Sequence, residues 1–150
     1  MRSKNKGIRG KNDGSVEQAL QDYSKEIIKK FKPLCIILYG SRAKGTYTPL
    51  SDMDIIVISN SFDMDFLSRI RSLIDLNNTA FPIDPLGYTE SEFSGMLESF
   101  RLTALDAVHE GVAIYGDDYF KKFKERLAEL VKMGTYKGKS SWHIAAEAVA

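Results

Sequence analysis

The sequence has little that would cross-link the chain or anchor it in a bilayer. A single cysteine, Cys35, occurs in 150 residues, which excludes a disulfide within the chain. The longest uninterrupted apolar run covers residues 34–39, whereas a membrane-spanning helix needs about 20 apolar residues. The basic N-terminus is followed by no apolar segment, so it does not resemble a secretory signal. We therefore expect no membrane partner, a cytoplasmic location, and a buried apolar role for Cys35.

The chain as a whole also has no large excess of positive or negative charge, but its N-terminus is strongly basic. Lys and Arg number 21 against 20 Asp and Glu, and 43% of the residues are apolar, which is typical of a single globular domain. Residues 1–11 contain five basic side chains and no acid, so the rest of the chain is net acidic. We interpret residues 1–14 as a flexible basic N-terminal tail. RNA binding through this tail is one hypothesis, but basic ends are more often only solvated, and a nucleic-acid partner is not favoured.

Apolar residues recur at helical spacing in four parts of the chain. The predicted helices cover residues 16–31, 63–77, 89–111 and 118–133. Capping-box patterns at residues 15–18 and 89–92 mark the start of two of them. The last helix is rich in aromatic residues, and we expect its surface to favour self-association into a homo-oligomer.

Short apolar runs between these helices predict strands. They cover residues 34–39, 55–58, 81–88 and 112–115, and the first two are close enough in sequence to be neighbours in one sheet. Pro82 and Pro85 indicate that the third is an edge or irregular strand, because proline cannot donate a ladder hydrogen bond. Helices alternating with short strands indicate an α/β or α+β fold around a small sheet. We assign the domain to residues 15–134 and a C-terminal tail to residues 135–150.

A glycine-serine turn and two aspartates lie between the first two predicted strands. Gly40 and Ser41 follow the first strand directly, and the exposed backbone N–H groups of such a turn suit phosphate oxygens. Asp52 and Asp54 are two residues apart at the start of the second strand, so both carboxylates lie on one face. Two such charges ~4 Å apart repel by about 4 kcal/mol at an effective dielectric of 20. This arrangement predicts a Mg²⁺ or Mn²⁺ site that bridges triphosphate oxygens.

Three further residues extend this candidate site. Asp84 is a third carboxylate, on an extended segment that could lie beside the strand of the other two aspartates. Three carboxylates allow two metal ions, of which one activates the attacking hydroxyl and the other neutralises the leaving pyrophosphate. Arg42 and Lys44 are placed to counter the charge of the triphosphate.

Simpler explanations apply to parts of this pattern. An isolated Asp-x-Asp is common on solvated turns, and an isolated Gly-Ser after a strand is weaker still. Gly40 and Gly45 have the four-residue gap of a phosphate-binding P-loop, but Thr46 stands where its essential lysine is required. The combination of turn, spacing and acid pair is more informative than any part of it.

Gly40-Ser41, ten intervening residues and Asp52-Met53-Asp54 resemble the signature of the DNA polymerase beta-type nucleotidyltransferase superfamily. The Gly-Ser-Arg-Ala-Lys-Gly run and the short chain are most similar to the minimal nucleotidyltransferases, over roughly residues 16–133. The resemblance implies a nucleotidyltransferase fold, in which helices flank a small mixed β-sheet with the first two acids on one strand and the third on its neighbour.

The resemblance also implies roles for the candidate residues. Gly40 and Ser41 would bind the triphosphate, Asp52 and Asp54 the Mg²⁺ or Mn²⁺ ions, and Asp84 both metal and the acceptor hydroxyl. ATP is the nucleotide donor that the resemblance favours.

The acceptor expected from the resemblance is a protein. Minimal nucleotidyltransferases are often paired with a HEPN-type RNase toxin in a toxin-antitoxin system, and some adenylylate a tyrosine on that partner. Larger relatives hold the acceptor with an extra domain for which this sequence leaves no room, so the acceptor surface would come from the core, a second copy or a partner. The alternative is a weakly active or inactive module of the same fold that neutralises its partner by contact alone.

Three residues in the second half of the sequence have no role in these hypotheses. His109 and His143 lack metal-ligand spacing, so we expect them to be satisfied or solvated. Trp142 could pack on the core or on a neighbouring subunit, and the sequence leaves both open.

Overall fold

The computed structural model describes residues 13–45, 52–138 and 141–144. Helices and strands alternate along this part of the chain, so the fold class is mixed α/β, as expected. The helices are α1 (Asp13–Phe31), α2 (Ser41–Lys44), α3 (Phe66–Asp75), α4 (Glu90–Glu98), α5 (Leu102–Glu110) and α6 (Asp117–Lys132). The strands are β1 (Cys35–Tyr39), β2 (Met53–Ile58), β3 (Ile83–Tyr88), β4 (Val112–Tyr115), β5 (Tyr136–Lys137) and β6 (Trp142–His143).

Four strands form one mixed sheet in the order β3-β2-β1-β4. β1 is antiparallel to both β2 and β4, whereas β2 and β3 are parallel. The predicted pairing of the first two strands is confirmed, and so is the edge position of the third. Because β1 and β2 are central, most of their side chains are buried on both faces, and Cys35 is fully buried as predicted.

The edge position explains how β3 tolerates Pro85. The N–H groups of Met53 and Ser59 donate to the carbonyl oxygens of Pro82 and Tyr88. The backbone N–H and C=O groups of the even-numbered residues in this segment therefore point toward β2. Pro85 therefore directs its nitrogen toward the open edge, where no ladder hydrogen bond is lost. The strand remains regular from residue 83 to residue 88.

A separate apolar cluster covers each face of the sheet. α1 and Leu73 of α3 pack on one face, and α4, α5 and α6 pack on the other. Helix α1 begins at Asp13, slightly before the predicted start, and ends at Phe31, two residues before Pro33. Phe120 and Phe123 of α6 lie in the second cluster. The aromatic side chains expected to promote self-association are thus turned toward the core.

Two helices occupy the stretch in which one was predicted. The chain reverses between α4 and α5 at Phe100, whose φ of 59° is incompatible with a continuous helix. The N–H groups of Phe100 and Arg101 close the turn by donating to Leu97 O and Met96 O. The ring of Phe100 packs against the second cluster, which accounts for the break.

Part of the segment expected to be a C-terminal tail folds onto the domain. Thr135 is buried, and β5 pairs antiparallel with β6. The indole Nε1 of Trp142 donates to Asp106 Oδ1 at 2.9 Å, so Trp142 packs on the core. Residues 1–12 of the predicted basic tail lie outside the described residues. Within the described ranges, no helix combines the length and apolar character needed to span a bilayer.

Candidate active site

Tyr39, Asp54 and Asp84 form one row across three neighbouring strands. Asp54 of β2 pairs in register with Tyr39 of β1 on one side and with Asp84 of β3 on the other. Adjacent strands lie about 4.8 Å apart. The sheet therefore brings together two of the predicted carboxylates that are distant in the sequence.

All three side chains of this row lie on the same face of the sheet. The next residues on that face, Ile37 and Ile56, belong to the apolar cluster under α4, α5 and α6, and strand alternation places the row beside them. Asp54 is half-buried and Asp84 is exposed. The site thus lies where the apolar cover of this face ends.

The turn after β1 is packed directly against the Asp54 carboxylate. Gly40 has φ 76° and ψ −154°, a backbone conformation that is essentially restricted to glycine. A Cβ atom at this position would lie 2.5 Å from Asp54 Oδ2. Ser41 begins α2, which ends where the Gly45 N–H donates to Ser41 O. Glycine is therefore required at residue 40 for its backbone conformation and for its lack of a side chain.

The remaining predicted residues flank this arrangement. Asp52 lies immediately before β2 and is exposed. Arg42 and Lys44 belong to α2, but their side chains lie outside the part of the chain that the structure describes.

Burial and negative charge act together on Asp54. Its partial burial raises the pKa of the carboxyl group, and the charges of Asp84 and then Asp52 raise it further. The ionised form of Asp54 is thus held at an electrostatic cost that a bound cation would offset.

The model of the nucleotidyltransferase domain family matches residues 20–104. This stretch is more than half of the chain and contains the Gly40-Ser41 turn and all three aspartates. The chain belongs to this family. The general role that follows is nucleotidyl transfer, in agreement with the resemblance found in the sequence.

A solved structure is also similar to this nucleotidyltransferase. It is a crystal structure of a protein from Sulfolobus solfataricus, which is described provisionally as a nucleotidyltransferase. The two are 20% identical with a TM-score of 0.45, over 71% of this chain and 90% of the other. No curated protein matches the sequence.

The donor chemistry of the nucleotidyltransferase site fits Mg²⁺, although the side chains do not form a closed cage. In the described ranges, no three His, Cys, Asp or Glu side chains are grouped so that they could hold a metal ion by themselves. Asp54 and Asp84 nevertheless supply carboxylates from directly paired positions, with Asp52 close enough to influence Asp54. Mg²⁺ usually takes only one or two carboxylates and completes its shell with water and phosphate oxygens.

Tyr39 is the member of the row that sequence reasoning missed. Burial raises the pKa of its phenol, and the charges of Asp54 and Asp84 add to this effect. A signal was available, since Tyr39 ends the predicted strand two residues after Ile37 and immediately before the turn. Its position opposite Asp54 becomes known only with the register of β1 and β2.

Proposed function

We propose that this nucleotidyltransferase moves a nucleoside monophosphate, AMP from ATP, onto a hydroxyl group with the help of Mg²⁺ or Mn²⁺. The observation that carries the proposal is the direct pairing of Asp54 with Asp84 beside a glycine turn that packs against the Asp54 carboxylate. A packing role does not explain two adjacent carboxylates on one sheet face, because their repulsion costs free energy unless a cation is bound.

Each part of the site has a role in the transfer. The Gly40-Ser41 turn receives the triphosphate, with Arg42 and Lys44 countering its charge. Asp54 and Asp84 would hold the divalent ion from their paired positions, and Asp52 would add its charge from beside them. When bound, the ion would supply neutralisation of the phosphate charge. The acceptor oxygen attacks the α-phosphorus, the bond to the bridging oxygen breaks, and pyrophosphate leaves.

Asp84 orients the acceptor. Its carboxylate is exposed on an edge strand, so a hydroxyl from another molecule can approach it from solvent. The carboxylate accepts a hydrogen bond from that hydroxyl and takes its proton as the new phosphate ester forms.

The acceptor in this proposal is a hydroxyl on a partner protein, specifically a HEPN-type toxin in a toxin-antitoxin pair. The exposed position of Asp84 supports a macromolecular acceptor, and the similarity to minimal nucleotidyltransferases supports this class of partner. The protein is incubated with α-labelled ATP, Mg²⁺ and the product of the neighbouring gene. Label on the neighbour is expected, and its absence while ATP still binds would reject this acceptor.

A second candidate function is neutralisation of the partner by contact alone. It is favoured by the finding that no three potential ligands in the described residues form a ready-made metal cluster. Joint replacement Asp52→Asn and Asp54→Asn separates the two functions. If nucleotidyl transfer is the function, the double variant should neither label the partner nor neutralise it. If the double variant still neutralises the partner fully, contact alone explains the biological effect.

A further inference from the structure

Tyr39 places a phenol beside the paired carboxylates. It is the last residue of β1 and directly opposite Asp54, and its ring packs against the apolar cluster under α4, α5 and α6. The strand order puts Tyr39 and Gly40 on the β1 side of Asp54, whereas Asp84 lies on the β3 side. In the proposed reaction, the β1 side belongs to the nucleotide and the β3 side to the acceptor.

Tyr39 has a hydroxyl group on the face of the sheet that carries the two carboxylates. It has no hydrogen-bond partner among the described residues, although partly buried tyrosine hydroxyls usually find one. Tyr23 shows the contrasting arrangement, since its buried hydroxyl donates to Leu73 O at 2.7 Å. The phenol of Tyr39 carries an O–H that can donate to an oxygen of a ligand.

Tyr39 adds a side-chain donor beside two side chains that can only accept. The side chains of Asp54 and Asp84 accept hydrogen bonds when ionised and cannot donate to an oxygen of the substrate. Tyr39 is anchored through its ring, so its hydroxyl offers a donor with little loss of conformational entropy on binding.

We infer that Tyr39 is a nucleotide-positioning residue, whose hydroxyl donates a hydrogen bond to a sugar or phosphate oxygen of the bound nucleoside triphosphate. The inference rests on the proposed function and identifies a residue on the nucleotide side of the same site. It distinguishes Tyr39 from a tyrosine kept only for packing.

The test compares Tyr39→Phe with Tyr23→Phe and wild type. Calorimetric titration with ATP and Mg²⁺ should show affinity weakened about 3- to 10-fold in Tyr39→Phe, the value of one hydrogen bond. The KM for ATP should rise by the same factor, while transfer at saturating ATP and the Tm stay close to wild type. Tyr23→Phe should show the opposite pattern, with a lower Tm because Leu73 O loses its buried donor, and unchanged ATP affinity.

The outcomes separate this inference from the proposed function. Wild-type protein that binds no ATP would refute nucleotide binding as a whole. Wild type that binds ATP with the same affinity as Tyr39→Phe would overturn only the role of Tyr39. A fall in the rate at saturating ATP with no change in ATP affinity would also overturn it, because the hydroxyl would then act in the chemical step or on the acceptor.

Discussion

Gly40 and Asp54 are packed so closely that neither residue can change without moving the other. The Asp54 carboxylate occupies the space that a side chain at residue 40 would need, and the Gly40 backbone is in a conformation that few other residues adopt. The glycine turn and the Asp54 carboxylate are therefore one packed unit, and a change in the turn is transmitted directly to the carboxylate.

Replacement Gly40→Ala should disable the site by moving Asp54. The new Cβ would lie 2.5 Å from Asp54 Oδ2, so the carboxylate must shift away from its position opposite Asp84. Displacement of a catalytic group by about 1 Å can reduce a rate by roughly 100-fold. We expect at least a ten-fold loss in kcat/KM for ATP, measured by transfer of α-labelled nucleotide.

Gly45→Ala is the control for a positive φ in the same turn, at a ψ of 11° where Gly40 has −154°. Gly45 also has a positive φ, 78°, but a Cβ there meets no atom of the described residues within 4 Å. The left-handed conformation costs an alanine about 1–2 kcal/mol, so this variant should lose stability and retain transfer. Equal loss of transfer in both variants would show that strain in the turn, and not the contact with Asp54, is responsible.

Motif spacing was sufficient to predict the acids but not their neighbours. Period two predicted one face for Asp52 and Asp54, and Asp84 was a candidate from an extended segment that could lie beside them. The structure pairs Asp54 with Asp84, while the role of the three acids stays a prediction. The location of Tyr39 in the same row depends on the register between β1 and β2, which is set by pairing across the sheet.

At the scale of elements, one buried arginine joins α3, β3 and α4. Arg69 donates to Met64 O, to Gly87 O on the open side of β3, and to both carboxylate oxygens of Glu92. The Glu92 side chain also accepts from the N–H of Thr89 in the capping box of α4. Glu92 therefore caps α4 and also neutralises the guanidinium of Arg69, which binds the open side of β3.

Glu92→Gln should destabilise the protein in a pH-dependent way. The hydrogen bond from Arg69 is the main cause that lowers the pKa of Glu92, so its ionised form stabilises the folded state. This contribution is complete above the unfolded pKa of about 4.3 and is lost as the pH falls through the lower folded value. Urea unfolding should show a loss of about 1–2 kcal/mol at pH 7 that disappears in acid.

Glu98→Gln provides a comparison between two arginine-glutamate pairs. Arg126 also contacts both oxygens of Glu98, but its side chain is 37% exposed whereas that of Arg69 is 10% exposed. Exposed pairs contribute only about 0–1 kcal/mol, so this variant should lose less. Equal losses at pH 7 would indicate that burial of Arg69 is not what makes the Glu92 contact important.

Periodicity predicted most elements, and its failures have a common cause. The capping box at Thr89 and the central strands were confirmed because their signals are local. The break at Phe100 and the short helix α2 depend on backbone conformations that the surrounding packing selects. A run of apolar residues at helical spacing does not reveal where the chain must reverse to cover a sheet.

At the scale of the whole molecule, the β5–β6 ribbon closes the fold over α5. Asp106 Oδ1 receives hydrogen bonds from both Lys137 Nζ and Trp142 Nε1, each at 2.9 Å. His109 lies edge-on to the indole, with ring centroids 5.3 Å apart. These contacts join residues more than thirty positions apart, so no pattern in the last part of the sequence indicates them.

Trp142 and Tyr39 pack against the same apolar cluster, so the ribbon lies on the face of the sheet that carries the site. Trp142→Ala removes the indole and its hydrogen bond, and should cost about 2 kcal/mol of unfolding free energy. Trp142→Phe keeps an aromatic ring and should cost about 1 kcal/mol, whereas Met133→Ala at an exposed site should stay within about 0.5 kcal/mol. If urea unfolding shows the same small loss for Trp142→Ala as for Met133→Ala, the ribbon does not pack on α5 in solution, and the prediction of a C-terminal tail over residues 135–150 stands.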